Sequence, residues 1–113
     1  MNYRFISYNT FIRELKRLSK RYRSLKNDLA ALEEELSKNP QLGTDLGNGF
    51  RKIRLAITSK GKGKRSGARV ITLTLIVSTE EITVGFIYIY DKSESENITD
   101  KELKELLKQN GLL

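Results

Sequence analysis

Apolar residues recur at a helical spacing along the first third of the chain. Two consecutive segments share the pattern i, i+4, i+7, i+11: Phe11, Leu15, Leu18 and Tyr22, then Leu25, Leu29, Leu32 and Leu36. This period predicts one helix over residues 10–21 and a second over residues 24–38, with Ser24 as the N-cap of the second. Because the connection between them is so short, the helices should form an antiparallel hairpin whose apolar stripes face a shared partner.

After Pro40 and the glycine-rich stretch 43–49, the period changes from helical to alternating. Alternation predicts three strands, over residues 50–58, 68–77 and 82–90, and their hairpin connections predict an antiparallel sheet. The middle strand has apolar residues at both parities, so it should lie at the centre of the sheet with one face under the helices. Gly85 interrupts the last strand, which is typical of a bulge or of a close approach by another group.

Each end of the chain adds one short element. Residues 2–7 predict an N-terminal strand, and Thr99 with Glu102 matches a capping box for a terminal helix that ends near Gln109. The predicted fold class is α+β, with a helix hairpin packed on an antiparallel sheet and a short C-terminal helix. A length of 113 residues has room for one core, so residues 1–113 should form a single domain.

Positive charge is concentrated in one part of the chain. The formal net charge is +7, and residues 50–71 contain eight Lys and Arg residues but no Asp or Glu. Lys52 and Arg54 share one face of the first strand, and Arg69 begins the next strand. The loop between these strands adds Lys60, Lys62, Lys64 and Arg65. An unbroken basic block repels itself, so the pattern favours a phosphate-binding surface over a loop kept charged for solubility.

The composition also excludes several kinds of chemistry. The chain has no cysteine and no histidine, which excludes disulfides, removes the usual zinc ligands and rules out Ser-His-Asp or Cys-His catalysis. Proton transfer then depends on Lys, Tyr, Asp, Glu, Arg or the substrate. No apolar run approaches the roughly 20 residues that span a bilayer, and the N-terminus lacks an apolar signal stretch. These features predict a cytoplasmic protein with no membrane partner.

The first helix carries a cationic face opposite its apolar stripe. The residues of this face are Arg13, Lys16, Arg17 and Lys20. The face is either plain solvated surface or a second landing site for a nucleic-acid backbone. The sequence leaves both possibilities open.

Two stretches of the chain resemble one family of bacterial proteins. Residues 39–71, NPQLGTDLGNGFRKIRLAITSKGKGKRSGARVI, resemble an NP.LG motif followed by a glycine-rich turn, KIR, a Lys/Gly loop and GGARVI. Residues 87–103, IYIYDKSESENITDKEL, resemble an IYDKSE segment that leads into a last helix. With the order of the predicted elements, these motifs are similar to the RelE/ParE superfamily of type II toxin–antitoxin toxins, in its HigB-like/RelE-like branch.

The resemblance implies a function and a set of site residues. It implies a ribosome-dependent mRNA endoribonuclease (mRNA interferase) that uses Lys, Arg and Tyr chemistry without a metal or cofactor. The implied partners are a cognate antitoxin, the ribosome and mRNA. The implied catalytic residues are Arg54, Arg69, Tyr90 and Lys62. The implied RNA-binding and ribosome-binding residues are Lys52, Lys60, Lys64, Arg65 and Lys92, with Arg13, Lys16, Arg17 and Lys20 of the helix face.

Each of these assignments has an alternative. Tyr88 has the same parity as Tyr90 and competes for its role, and Tyr90 can also be a strand-end aromatic with its hydroxyl in water. Arg54 can pair with Asp45 or Asp91 in an ordinary surface ion pair. At the level of function, ParE-like members inhibit DNA gyrase without nuclease chemistry, and a third possibility is a non-catalytic domain that binds RNA or an antitoxin.

Overall fold

The computed structural model describes residues 2–61 and 63–113, which form three helices and one five-stranded sheet. The strands are β1 (Asn2–Ser7), β2 (Thr44–Gly47), β3 (Phe50–Leu55), β4 (Ala68–Ile76) and β5 (Glu81–Asp91). The helices are α1 (Asn9–Arg21), α2 (Leu25–Lys38) and α3 (Asp100–Gln109), and a short 3-10 turn covers Thr58–Lys60. The predicted α+β class is confirmed.

The sheet has the strand order β1-β5-β4-β3-β2, so β4 is the central strand, as predicted. The pairs β2–β3, β3–β4 and β4–β5 are antiparallel. The pair β1–β5 is parallel, with Asn2 opposite Glu81 and Ser7 opposite Phe86. The prediction of a wholly antiparallel sheet is therefore wrong at this edge. A parallel pair requires a long connection, and here the two helices and three strands between β1 and β5 provide it.

Each face of the sheet has its own core. On one face α1 and α2 cover the larger core, in which the Phe86 ring stacks on Phe11 with 5.1 Å between ring centroids. On the other face α3 covers a smaller core, where Leu106 packs with Ile71 and Tyr90. The predicted packing of the helix pair on one face is confirmed. The second face is covered by α3 over β5 and β4, and it is open at β3.

A β-bulge in β5 decides which side chains reach the second face. Thr72 pairs with Phe86, but the preceding residue Ile71 pairs with Tyr88, so Ile87 is an extra residue in β5. Strand residues alternate between faces. The extra residue therefore reverses the alternation, and the two tyrosines that follow it turn towards α3 instead of the helix pair.

The local predictions agree with the structure except at a few positions. A Cβ atom at Gly85 would lie 2.7 Å from Cε2 of Tyr8, so Gly85 marks a close approach, and the bulge lies two residues later. Ser24 stands at the N-cap of α2, but its hydroxyl donates to Asp28, accepts from the Ser59 amide and caps no amide of the helix. The capping box at the start of α3 is confirmed. Across the part of the chain that the structure describes, no helix combines the length and apolar character needed to cross a membrane.

Candidate functional site

Arg54, Arg69 and Tyr90 form a row across three neighbouring strands. Arg54 on β3 lies opposite Arg69 on β4, and Arg69 lies opposite Tyr90 on β5. The next row along the sheet contains Lys52. The structure thus brings three of the four predicted catalytic residues into register, whereas the fourth, Lys62, lies outside the described residues.

One cleft of about 360 Å³ opens beside this row, and we call it the cation cleft. Its lining residues are Thr44, Lys52, Arg54, Arg69, Lys92, Glu96 and Asn97. Nζ of Lys52 donates to Oδ1 of Asn97 at 2.9 Å, and the Lys92 ammonium donates to the backbone carbonyl of Glu96. Arg54 forms no ion pair with any residue in the described ranges, so neither of its suggested surface ion pairs is present.

Arg69 connects the cleft to the basic loop. Its side chain is 5% exposed; Nη1 donates to the carbonyl of Lys64 at 3.1 Å, and Nη2 donates to that of Arg65 at 3.0 Å. Burial lowers the pKa of Arg69, and the neighbouring Arg54 lowers it further. Nη1 also donates to the carbonyl of Ala68 at 3.2 Å. Arg69 therefore holds the base of the loop with three of its five N–H donors; it also lines the cleft, and the other two donors have no partner among the described residues.

Tyr90 lies in the row but does not line the cleft. Its side chain is 5% exposed and packs with Leu106 of α3, and its hydroxyl has no hydrogen-bond partner among the described residues. Burial raises the pKa of Tyr90, and the charge of Arg69 opposes this rise. The alternative with the hydroxyl in water is wrong. Tyr88 is half-buried and lines a different cleft, next to Glu102 of α3.

The described cations of the basic loop differ in their partners. Nζ of Lys60 binds Oδ1 of Asp91 at 2.8 Å, and Nζ of Lys64 lies 3.6 Å from Oε2 of Glu35. Arg65 is exposed and forms no ion pair within the described residues. The sequence predicted that Lys60 and Lys64 present their charge to RNA, but their ammonium groups already bind carboxylates. Arg65 keeps its charge available.

Asp91 organises this region, and the sequence analysis missed that role. Its side chain is fully buried and accepts hydrogen bonds from the hydroxyl of Tyr22 at 2.5 Å, from Lys60 and from Ser93. Burial alone would raise the pKa of Asp91, but these hydrogen bonds lower it well below its usual range. The sequence signal was its parity, because Asp91 lies two residues after Ile89, which packs in the core under the helix pair.

The cationic face of α1 is separate from the cation cleft. Arg13, Lys16, Arg17 and Lys20 are all exposed, and none of them lines the cleft. Arg17 donates two hydrogen bonds to Glu94, at 3.0 and 3.1 Å, and these bonds raise the pKa of Arg17. The predicted role of this face in ribosome binding stays a prediction, and Arg17 is the member of the set whose charge is already paired.

Comparisons with known proteins agree with this fold. The family model for the RelE toxin of the RelE/RelB toxin–antitoxin system matches residues 10–112. The chain belongs to the RelE toxin family. Its fold is also similar to that of a double arginine-to-alanine mutant of the Escherichia coli toxin RelE in the free state, with a TM-score of 0.59 and 20% identity over 96% of this chain and 98% of that chain. Membership of the RelE family implies an antitoxin partner.

The cation cleft of this RelE-family toxin has the composition of an anion site. Guanidinium and ammonium groups form short charge-assisted hydrogen bonds with phosphate oxygens, and the arginine fork matches phosphate geometry. Three polar lining residues, Thr44, Glu96 and Asn97, were absent from the predicted site. They belong to β2 and to the segment before α3, and no recognisable motif in the sequence marks either as part of a site.

Proposed function

We propose that this toxin is a ribosome-dependent endoribonuclease that cuts mRNA without a metal. The observation that carries the proposal is the cation cleft, in which Arg54 and Arg69 face each other across neighbouring strands with Lys52 and Lys92 beside them. Like charges placed directly opposite each other destabilise a sheet. Here the two arginines face each other, and Arg54 has no acidic partner among the described residues. This arrangement suits a site whose ligand is a phosphate.

In the proposed reaction the ribose 2′-hydroxyl is the nucleophile. Its oxygen bonds to phosphorus, the bond between phosphorus and the 5′-oxygen breaks, and the products are a 2′,3′-cyclic phosphate and a 5′-hydroxyl. Negative charge grows on the phosphorane oxygens as this happens. Arg54 and Arg69 stabilise that charge, and because Arg69 is held by the loop carbonyls, its position is set before the substrate arrives.

The proton transfers are assigned to Glu96 and Lys92. Among the described residues that line the cleft, Glu96 is the one with an acidic side chain. It takes the proton of the 2′-hydroxyl. Lys92 gives a proton to the departing 5′-oxygen, and its ammonium is already oriented by a hydrogen bond to the Glu96 carbonyl. Tyr90, which the sequence assigned as acid–base or stacking residue, supports Arg69 from the neighbouring strand instead, because its hydroxyl is buried.

The shape of the site supports dependence on the ribosome. The cleft has space for a phosphate, but Tyr90 is buried and Tyr88 lines a different cleft, so neither offers a ring in the cation cleft on which a base could stack. Without such a surface, the 2′-hydroxyl, the phosphorus and the 5′-oxygen have to be aligned by another body. A message held in the ribosome supplies that alignment, which is worth several orders of magnitude in rate.

The proposal is tested by brief induction of the toxin in bacteria and primer-extension mapping of messages. We expect cuts inside the codons of translated messages, cleavage lower by about a hundredfold with Arg54→Gln, and slow cleavage of the same RNA without ribosomes. Growth arrest with intact messages and accumulated gyrase–DNA complexes would contradict the proposal and indicate a ParE-like gyrase inhibitor. Growth arrest without either effect would indicate a non-catalytic binding domain.

A further inference from the structure

We propose that the toxin has a second phosphate site, which binds the next phosphate along the same RNA strand. This inference rests on the proposed function. A second cleft of about 340 Å³ is lined by Lys60, Arg65, Ser66, Lys92 and Ser93. Lys92 lines both this cleft and the cation cleft, so the two adjoin each other.

Arg65 provides the available charge of the second site. Its side chain is exposed and unpaired within residues 2–61 and 63–113. The two loop lysines that the structure describes differ from it, because Lys60 binds Asp91 and Lys64 lies beside Glu35. An arginine that keeps its charge free next to a cleft suits an anionic ligand, since its planar fork forms two parallel hydrogen bonds with one phosphate.

The two sites are held at a fixed separation by hydrogen bonds. Arg69 of the cation cleft donates to the carbonyl of Arg65 at 3.0 Å, and the amide of Lys92 donates to the carbonyl of Gly67 at 3.0 Å. Gly67 has no room for a side chain, because a Cβ atom there would collide with the Leu55 carbonyl. The loop segment that carries Arg65 is therefore tied to β3, to β4 and to the end of β5, and binding there requires little reorganisation.

The other groups around the second cleft also suit a phosphate. Ser66 and Ser93 add hydroxyl groups, and none of the described lining residues is acidic. The nearby carboxylate of Asp91 is buried and already accepts hydrogen bonds from Lys60 and Tyr22, so it does not repel an anion in the cleft. The ligand class is single-stranded RNA with at least two consecutive phosphodiesters.

The second site is tested with 2′-deoxy ligands, which bind but cannot be cleaved. A dinucleoside monophosphate carries one phosphate, and a trinucleoside diphosphate carries two. Titration calorimetry at several KCl concentrations should give at least tenfold tighter binding of the two-phosphate ligand, with a salt dependence steeper by about 0.7 in log K per log [KCl]. Arg65→Gln should remove this gain and leave the one-phosphate affinity unchanged, whereas Arg65→Lys should keep part of it.

Arg23→Gln is the matched control, because Arg23 is also exposed, carries the same charge and lines neither cleft. It should change neither affinity. An Arg65→Gln variant that weakens both ligands equally, or weakens neither, would overturn the second site. Binding is measured without cleavage, so the two proposals fail separately: uncut messages refute the nuclease, and cleavage without the two-phosphate gain refutes the second site.

Discussion

Arg54 and Arg69 lie directly opposite each other on β3 and β4. Burial lowers the pKa of Arg69, and the like charge of Arg54 lowers it further. Facing like charges cost a sheet roughly 0.2–1 kcal/mol. The pair therefore lowers the stability of the free protein slightly, and a phosphate bound between the two guanidinium groups would remove this repulsion.

Replacing Arg54 should separate stability from activity. Arg54→Gln relieves the repulsion, so the free energy of unfolding should stay equal or rise by up to about 0.5 kcal/mol. The rate of cleavage should fall on the order of a hundredfold, because one of the two guanidinium groups that stabilise the negative charge of the phosphorane is lost. Urea unfolding and ribosome-dependent cleavage measure the two effects.

Arg51→Gln serves as the contrast for this variant. Arg51 lies three residues before Arg54 on β3, and its guanidinium donates to the carbonyls of Gln41, Leu42 and Gly43. Its loss should lower the free energy of unfolding by about 1–2 kcal/mol and leave cleavage per folded molecule near normal. Equal effects of the two variants would contradict the assignment of Arg54 to the ligand.

Glu96→Gln should remove the proton acceptor while keeping the shape of the cleft. We expect cleavage to fall about 10²–10⁴-fold and the decline of the rate on the acidic side of its pH profile to disappear. Binding of a 2′-deoxy oligonucleotide should be equal or tighter, because a negative charge leaves a cationic site. Glu80→Gln, on the exposed β4–β5 turn, is the control. A pH profile that keeps its acidic limb in the Glu96 variant would assign the base elsewhere.

Tyr90→Phe should have little effect on cleavage. The hydroxyl is buried without a hydrogen-bond partner in the described part of the chain, and an unpaired buried polar group costs about 1–3 kcal/mol. Its removal should therefore leave the free energy of unfolding unchanged or raise it by about 1 kcal/mol, with cleavage within about threefold of wild type. A hundredfold loss of rate in a stable Tyr90→Phe variant would instead support the acid–base role that the sequence suggested.

Asp91→Asn should destabilise the toxin in a pH-dependent way. The pKa of Asp91 is lower in the folded than in the unfolded chain, so its stabilisation is present above about pH 4 and is lost as the pH falls towards the folded value. At pH 7 the substitution should cost about 3 kcal/mol, because Lys60 loses its buried partner. Urea unfolding from pH 7 to 3 should show the two proteins converging, with exposed Asp45→Asn as control. A constant difference would contradict this account.

Much of the fold was predictable, because buried positions show their periodicity in the sequence. The helix stripes and the central position of β4 follow directly from this pattern. Strand β2 was missed because all of its residues are exposed at the sheet edge, so no alternation marks it. The parallel partner of β1 was missed as well, since hairpin connections say nothing about which edge a distant strand joins.

The candidate site was predictable in its charges and not in their partners. Arg54 was found because alternation puts it on one face of its strand with Lys52, and Arg69 was found because the resemblance matches it to an arginine that begins the next strand. The resemblance also named Tyr90, but nothing in the sequence shows that α3 buries its hydroxyl. Whether Lys60 faces a ligand or Asp91 depends on contacts between segments about thirty residues apart, which local patterns do not encode.

The pairing of β1 with β5 has a consequence for synthesis of the toxin. Strand β1 can join the sheet only after Glu81, the partner of Asn2, has been synthesised. Lys92 follows Glu81 in the sequence. Contacts between such distant segments form late and slow the folding of a domain. A growing chain therefore acquires its complete cleft only after Asn97 has been synthesised, and products truncated before this residue lack it. The positive charges of the cleft are in this way kept apart until the strands that carry them have paired.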